Sequence, residues 1–459
     1  MPLMRLIAEN IGPFERLDID FSDGNGKPHR GPHILAGVNG SGKSTVLRAI
    51  AWALSWGGYG FPKEEWRHFL RGPNSRAIVH VAPEYGSPYL IGVSGNLDGF
   101  NDLPRELQHL AVSLGLTGTE DYTGSGPCWL RIGPYIPDGQ HPFTMCAYAP
   151  ARSLSHVATR AAMKLLKHPT DDCLGFEAAV QNNAIQGWLV DLFSKEALAK
   201  GRGQESDAYG QTIARFQDAL KLVCDDPKIS VDVELEPNLE PRVNFRGKGL
   251  NFSQLSDGVR TTMGWLADFM MRQDQMGPAN GAKREGILLL DEIDIYLHPR
   301  WQRTLLPAMR TALPDVQIVA SSHSPFVISS CQDARIHVLE LDGEGVAHAS
   351  PPQAAPFGES VTATLRGIFN VESRFDVQTE RELKEWDNLK REEAVGKLAP
   401  AKRKRLETLS DDLSERSEEL RMIVKSPSAL QAGLLNSLVS RSPQERPHSR
   451  PPKRNGKLR

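Results

Sequence analysis

Residues 34–54 read Ile-Leu-Ala-Gly-Val-Asn-Gly-Ser-Gly-Lys-Ser-Thr-Val-Leu-Arg-Ala-Ile-Ala-Trp-Ala-Leu. The apolar run Ile34-Leu35-Ala36 predicts a strand, Gly37 to Ser44 fit the pattern G-x-x-x-x-G-K-S, and Thr45 to Leu54 predict a helix. Strand, glycine loop and helix in that order is the context in which this motif holds phosphate. Gly37, Gly40 and Gly42 let backbone N–H groups close around phosphate oxygens, with Asn39, Ser41 and Thr45 completing the loop and its exit. The helix N-terminus adds positive potential there. Lys43 is expected to reach the β- and γ-phosphates, and the Ser44 hydroxyl to hold Mg²⁺.

The remainder of the chain is long enough for one large domain with an elaboration, or for two or three modules: 459 residues, 40% of them hydrophobic. Lys and Arg number 54 against 56 Asp and Glu, a formal charge of −2. Overall charge therefore gives no support for nucleic-acid binding, which would need a local patch. Cys128, Cys146, Cys173, Cys224 and Cys331 are scattered with no Cys-x-x-Cys, the pattern of reduced thiols and not of a zinc site or disulfide framework. The chain opens without a signal-peptide apolar region, and no apolar stretch approaches the length of a membrane span. A soluble, cytoplasmic protein is expected.

Short apolar runs at Leu3 to Ala8 and Leu17 to Phe21 predict strands at the edge of a nucleotide-binding lobe. Val79 to Val81 and Tyr89 to Val93 predict two more, and the Gly115 to Pro127 region reads as loop. Helical spacing marks Ala158 to Lys167, Phe176 to Lys200 and Ala208 to Cys224. Val231 to Leu235 and Val243 to Phe245 alternate like strands, and Val259 to Arg272 is helical. Ile287 to Leu290 and Val316 to Ala320 read as buried strands around a helix over Pro299 to Leu313. Asp342-Gly343 is a hairpin turn signal. The pattern is α/β. Residues 379–424 are highly charged, with Leu406, Leu409, Leu413, Leu420 and Ile423 near a 3-4 spacing. They predict an exposed helical pair broken near Pro400, serving either as a partner surface or as a helix packed on its own domain. Seven basic residues against Glu445 over 441–459, with four prolines, predict a disordered tail.

Beyond the glycine loop, Ile287 to Leu290 end in Asp291-Glu292. An acid at the end of a buried strand reaches the Mg²⁺ shell of a phosphoryl-transfer site, and the adjacent Glu292 is suited to polarise an attacking water. Leu255-Ser256-Asp257-Gly258 stand before a helix upstream of this strand. Here the sequence resembles the ATP-binding-cassette superfamily, whose signature is Leu-Ser-Gly-Gly followed by Gln or Glu. This chain departs at Asp257 and at Val259-Arg260, and keeps Ser256 and Gly258 in register. The resemblance implies that Ser256 and Gly258 bind the γ-phosphate of ATP held by an opposite subunit, so that two sites are completed only in a head-to-tail dimer. Ser321-Ser322-His323-Ser324-Pro325 resemble the family's switch region, which implies that His323 contacts the γ-phosphate. Leu297-His298-Pro299 and the opening Ile7 to Phe14 look like the RecF-, OLD- and PtuA-like AAA ATPases of bacteria and phage defence. His298 either couples the two sites or caps the next helix. The resemblance covers residues 1–56 and 250–345, thins over 57–250 and is absent after 376. Its glutamine loop finds no match: Ala147 to Arg152 stand in the right region, and Gln181 and Gln186 read as surface residues on a helix.

The expected architecture is a P-loop NTPase of ATP-binding-cassette type. Residues 1–150 form the first part of the head and 251–350 the second. A helical lid spans 151–250, a charged helical appendage 351–440 and a disordered tail 441–459. Pro169, Gly175 and Gly201 interrupt the insertion between Ser44 and Leu255, so no heptad run survives to build a long coiled-coil arm. The function implied is binding and hydrolysis of ATP with Mg²⁺, driving a homodimer that regulates a nucleic-acid-acting effector, such as a nuclease, in phage defence or DNA repair. The basic tail either touches a polyanion such as nucleic acid or simply solubilises the chain, the commoner role of such a tail, and no membrane partner is expected. The rivals are an OLD-type nuclease, the nucleotide-binding subunit of a transporter, and a non-hydrolysing ATP-gated scaffold.

Overall fold

A computed structural model describes residues 3–55, 70–94 without 73 and 83–87, residue 112, 119–122, 128–132, 143–149 and 166–176 without 167. It further describes 182–276 without 204–206 and 235–238, and 285–425 without 372–374 and 397. The expected helix over Ala158 to Lys167 and the tail 441–459 fall outside these, apart from Leu166. The chain divides into two compact units, Met1–Phe369 and Asn370–Arg459.

In the first unit the apolar runs become two sheets with a helix between them. Strands β1 (Leu3–Ile11), β2 (Phe14–Asp20), β4 (Arg76–Val81), β5 (Tyr89–Ser94), β6 (Thr119–Tyr122) and β7 (Cys128–Ile132) form an antiparallel sheet in the order β2-β1-β4-β5-β7-β6. Strand β6 lies in the stretch expected as loop; cross-strand pairing with β7 organises it despite its glycine-rich neighbours. The second sheet gathers β3 (His33–Gly37), β8 (Thr144–Tyr148), β12 (Gly286–Leu290), β13 (Val316–Ser321) and β14 (Arg335–Leu341) as neighbours in the order β14-β3-β13-β12-β8, every pair parallel. Strands β15 (Ala347–Ala349) and β16 (Gln353–Ala354) add antiparallel edges to β14.

Helix α1 (Lys43–Leu54) explains why both sheets are needed. Val46, Leu47 and Ala49 to Leu54 are all buried, and a helix apolar on every side must be covered on every side. It packs against β4 and β5 on one side and against β3, β12 and β13 on the other. Gln317 ties the two sheets together: its side chain accepts from the Leu3 N–H at 2.9 Å and donates to the Leu3 carbonyl at 3.0 Å.

The described part of the expected lid packs onto the head. Helices α2 (Asn182–Gly201) and α3 (Asp207–Val223) and the small sheet of β9 (Ser230–Glu234), β10 (Glu240–Phe245) and β11 (Lys248–Leu250) bury Trp188, Phe216, Leu220 and Val231 in the same core as the head. Gln186, read as a surface residue, is buried on α2. Helix α4 (Asp257–Met276) carries a buried ion pair, Arg272 Nε to Asp268 Oδ2 at 2.8 Å. Asp268 also accepts from the Tyr148 hydroxyl at 2.6 Å, and Arg272 donates to the Pro169 and Asp171 carbonyls at 2.7 Å. These extra bonds satisfy charges that would be costly to bury bare. Helices α5 (Pro299–Ala312), α6 (Pro325–Ile328) and α7 (Val361–Phe369) complete the unit. Residues 351–369, expected with the appendage, therefore lie in the head unit, with β16 on β14 and α7 against α6 and β3.

Among its described residues the second unit contains α8 (Val377–Ala394), α9 (Pro400–Arg416) and α10 (Glu418–Lys425), three helices where a pair is expected over 379–424. Leu406, Leu409, Leu413 and Leu420 are buried with Leu383, Trp386, Leu389 and Val424, so this stripe is covered within its own unit. Trp386 Nε1 donates to Ser410 at 2.9 Å, and Arg405 makes a two-pronged contact with Glu385 at 2.8 Å.

Beneath the glycine loop, His33 on β3 and His337 on β14 meet at 3.0 Å between Nδ1 and Nε2, with the Phe21 ring 5.0 Å and 5.3 Å from theirs. Both are fully buried. Burial, then the neighbouring His337 and His29, holds His33 well below its ordinary value. Burial lowers His337 to about 4, with Asp20 opposing and His29 and Arg335 adding. Between pH 6.5 and 4 the unfolded chain therefore binds more protons at His337 than the folded one, and this contribution to stability is full above about 6.5 and lost progressively as pH falls towards 4, with His33 acting in the same direction. Each pH unit in that window is expected to cost up to about 1.4 kcal/mol per histidine. Melting temperature measured from pH 7.5 to 5 should fall, and should fall less steeply in His337→Gln.

Candidate nucleotide site

In a parallel sheet all carboxyl ends lie on one edge, and that edge is where ligands bind. Here it collects Gly37 from β3, Tyr148 from β8, Asp291 after β12 and Ser321 from β13. Motifs hundreds of residues apart are brought together by this register.

The glycine loop adopts its required conformations. Gly37, Gly40 and Gly42 have φ of 152°, 82° and 92°. A Cβ on Gly42 would also lie 2.4 Å from the Phe14 ring, so both backbone angle and space demand glycine. Lys43 is buried, and its ammonium donates to the Gly37 and Val38 carbonyls at 3.0 and 2.9 Å. The loop thus holds its own lysine in place over the helix N-terminus. Ser41 is fully buried with its hydroxyl unpartnered. A buried orphan hydroxyl beside a held ammonium fits a polyanion such as the triphosphate of ATP.

The acidic turn follows β12, whose five residues are all buried. The Asp291 N–H donates to the Tyr148 carbonyl at 2.9 Å, and Asp291 Oδ1 accepts from the Ser321 hydroxyl at 2.6 Å. Glu292 has φ 49°, in the left-handed region, and its N–H donates to Ser321 Oγ at 2.7 Å. Asp294 accepts from the His323 N–H at 3.3 Å, and the Gln302 side chain ties the Asp294 and Leu297 carbonyls at 3.1 and 3.0 Å while accepting from Ser324 at 2.7 Å. Electrostatics report the same convergence. Burial lowers Lys43 against the pull of Asp291, Glu292 and Asp294. Burial, then the Lys43 charge, lowers His323 against Asp294, Glu292 and Asp291. Lys43, Asp291, Glu292 and His323 therefore form one charged cluster. A carboxylate and hydroxyls are the hard oxygen donors Mg²⁺ prefers, so Ser44 and Asp291 fit that ion.

The signature turn lies elsewhere. The Asn251 side chain and Gln254 form a capping box around the short 3₁₀ helix Phe252–Gln254, which delivers the chain to α4. Ser256 and Asp257 are exposed, and the Arg260 guanidinium pairs with Asp257. Gly258 is buried where a Cβ would meet the Tyr296 carbonyl at 2.6 Å, so the residue kept in register is the one that lets the acidic turn approach. Ser256, Asp257 and Gly258 open on a cleft of about 740 Å³ shared with Arg246, Tyr296 and His298. His298 accepts from the Arg300 N–H at 3.2 Å and caps α5, which is one of its two expected roles.

Residues 137–329 match the family model described as "AAA domain, putative AbiEii toxin, Type IV TA system", and residues 5–81 match the model described as "AAA domain". Over these two stretches the chain is similar to AAA domains. It is 30% identical over 153 residues to the Retron Vc95 probable ATPase of Vibrio cholerae serotype O1 biovar El Tor, covering 33% of this chain and 29% of that one. It is 33% identical over 100 residues to the Retron Ec83 probable ATPase of Escherichia coli, covering 21% and 18%. The match thus spans under a third of either retron protein. A longer match, 25% identical over 344 residues, joins it to the Septu protein PtuA of Bacillus thuringiensis, covering 74% of this chain and 76% of that one. Among solved structures, the SMC head domain from Thermotoga maritima is 15% identical with a TM-score of 0.39, covering 77% of this chain and 100% of that one. Among the described residues, no helix is long and apolar enough to cross a membrane.

Lys43 at the start of α1, Asp291 and Glu292 after β12 and His323 after β13 all lie at the carboxyl edge of the parallel sheet. The role of Ser321 was not legible in the sequence: it stood in the quoted run only as the residue before Ser322-His323. Its one signal is a hydroxyl ending a buried strand whose other polar residue is Gln317. Tyr148 ends β8 in the region searched for the glutamine loop, and Pro150, Arg152 and Gln181 lie outside the described residues.

Proposed function

We propose that the protein binds and hydrolyses ATP with Mg²⁺, that two copies close head-to-tail around the nucleotide, and that this cycle regulates an effector acting on nucleic acid in phage defence. One observation carries the reading: Lys43 and His323 both feel the charges of Asp291 and Glu292 at the carboxyl edge of the parallel sheet, while the exposed Ser256 turn opens on a separate cleft, available to a second copy's nucleotide. The loop N–H groups, Ser41 and Lys43 would hold the β- and γ-phosphates, and Ser44 and Asp291 the metal. Mg²⁺ supplies neutralisation of charge on the phosphate oxygens. Glu292 takes the proton of the water that attacks the γ-phosphorus, as the bond to the β-phosphate oxygen breaks and ADP leaves. His323, kept neutral by burial and Lys43, donates a hydrogen bond to the γ-phosphate. The retron and Septu names of its relatives support defence over DNA repair.

The test is ligand-induced stabilisation. Mg-ATP at about a hundred times its Kd should stabilise the parent by about 2.7 kcal/mol, raising its melting temperature by a few degrees. Lys43→Ala should show under a tenth of that shift. An equal shift in both proteins would place the nucleotide elsewhere.

A further inference from the structure

We propose that Ser321 is a positioning residue that sets both acids of the site through a single hydroxyl; the proposal rests on the ATPase reading above. Ser321 grips three consecutive residues of the acidic turn. Its Oγ–H donates to Asp291 Oδ1 at 2.6 Å, its Oγ accepts from the Glu292 N–H at 2.7 Å, and its carbonyl accepts from the Ile293 N–H at 3.0 Å. The direction of these bonds is forced. A backbone N–H can only donate, so it takes a lone pair of the hydroxyl and leaves the hydroxyl's one proton for the carboxylate. Ser321 is fully buried.

Two consequences follow for the chemistry. The bond engages Oδ1 of Asp291, and among the described residues no other side chain donates to that carboxylate, so Oδ2 is the oxygen left for Mg²⁺. Meanwhile Glu292 leaves the strand in a left-handed conformation that residues with a Cβ avoid. The bond to its N–H holds it there. The metal-side acid and the proton acceptor are thereby fixed relative to one another from the neighbouring strand, and the parallel register of β12 and β13 supplies the alignment.

Alanine at 321 would strand the Glu292 N–H and free Asp291 to turn. In the full chain, Ser321→Ala should bind ATP within about threefold of the parent affinity. Its kcat should fall about 10–100-fold and its half-saturating Mg²⁺ concentration should rise about tenfold, the range for residues that orient a metal ligand. Ser321→Thr keeps the hydroxyl and should recover most of the kcat and the parental Mg²⁺ dependence. Parental kcat and Mg²⁺ dependence in Ser321→Ala overturn the proposal, as does equal impairment of the Ala and Thr variants, which would report packing alone. A parent protein with no ATP turnover overturns the ATPase reading itself, so the two failures are distinct.

Discussion

Glu292→Gln is expected to keep its nucleotide and lose turnover by about 10²–10⁴-fold, the usual contribution of a positioned proton acceptor. Glutamine preserves the length and hydrogen-bonding reach of the side chain, and the N–H that anchors residue 292 to Ser321 is untouched. The turn, and with it Asp291, should keep its geometry. What disappears is the capacity to take a proton from water. At about 1.36 kcal/mol per tenfold, such a loss removes roughly 3–5 kcal/mol of transition-state stabilisation while leaving ATP binding alone. With hydrolysis blocked, the ATP-bound state should accumulate, and light scattering after size exclusion should show dimers with ATP that disperse with ADP. A glutamine variant that still hydrolyses at the parental rate would assign the proton acceptor elsewhere. A stalled variant that stays monomeric with ATP would separate hydrolysis from dimerisation.

The head was readable in the sequence because its chemistry sits in short contiguous runs at strand ends. Ile34 to Ser44, Ile287 to Glu292 and Val316 to His323 each encode a strand and the candidate site residue that follows it. What the sequence does not encode is the sheet order that makes these runs neighbours. Ser321 and Asp291 are thirty residues apart, and their hydrogen bond exists only because β12 and β13 pair in parallel with Leu290 opposite Ala320. Gly258 illustrates the same limit: its register was visible, but its reason, the approach of the Tyr296 carbonyl, is a tertiary fact. The 3-4 leucine spacing at 406–420 showed an apolar stripe without showing its cover, which Leu383 and Trp386 of α8 provide. Gln186 was misplaced to the surface because residue type was weighed over helix face.

The head-to-tail arrangement is open to a mixing experiment with an arithmetic outcome. Lys43→Ala removes the phosphate-holding ammonium of a copy's own loop. Ser256→Arg leaves that loop intact and fills the exposed turn that would cap another copy's nucleotide; because Ser256 faces solvent, the larger side chain should not disturb the fold. Each variant alone should have less than about a hundredth of the parental ATPase rate. Mixed in equal amounts, half the dimers pair one variant with the other. In those, the intact loop of the Ser256→Arg copy faces the intact turn of the Lys43→Ala copy, and the second site carries both lesions. If the two sites work independently, activity should return to about a quarter of the parental rate, as two-fold symmetry dictates. No such recovery is possible if the turn serves its own copy's nucleotide, because every site then contains exactly one lesion wherever it sits. A Ser256→Arg protein with full activity by itself would equally remove the composite pocket, and would leave the exposed cleft around Gly258 without a nucleotide to meet.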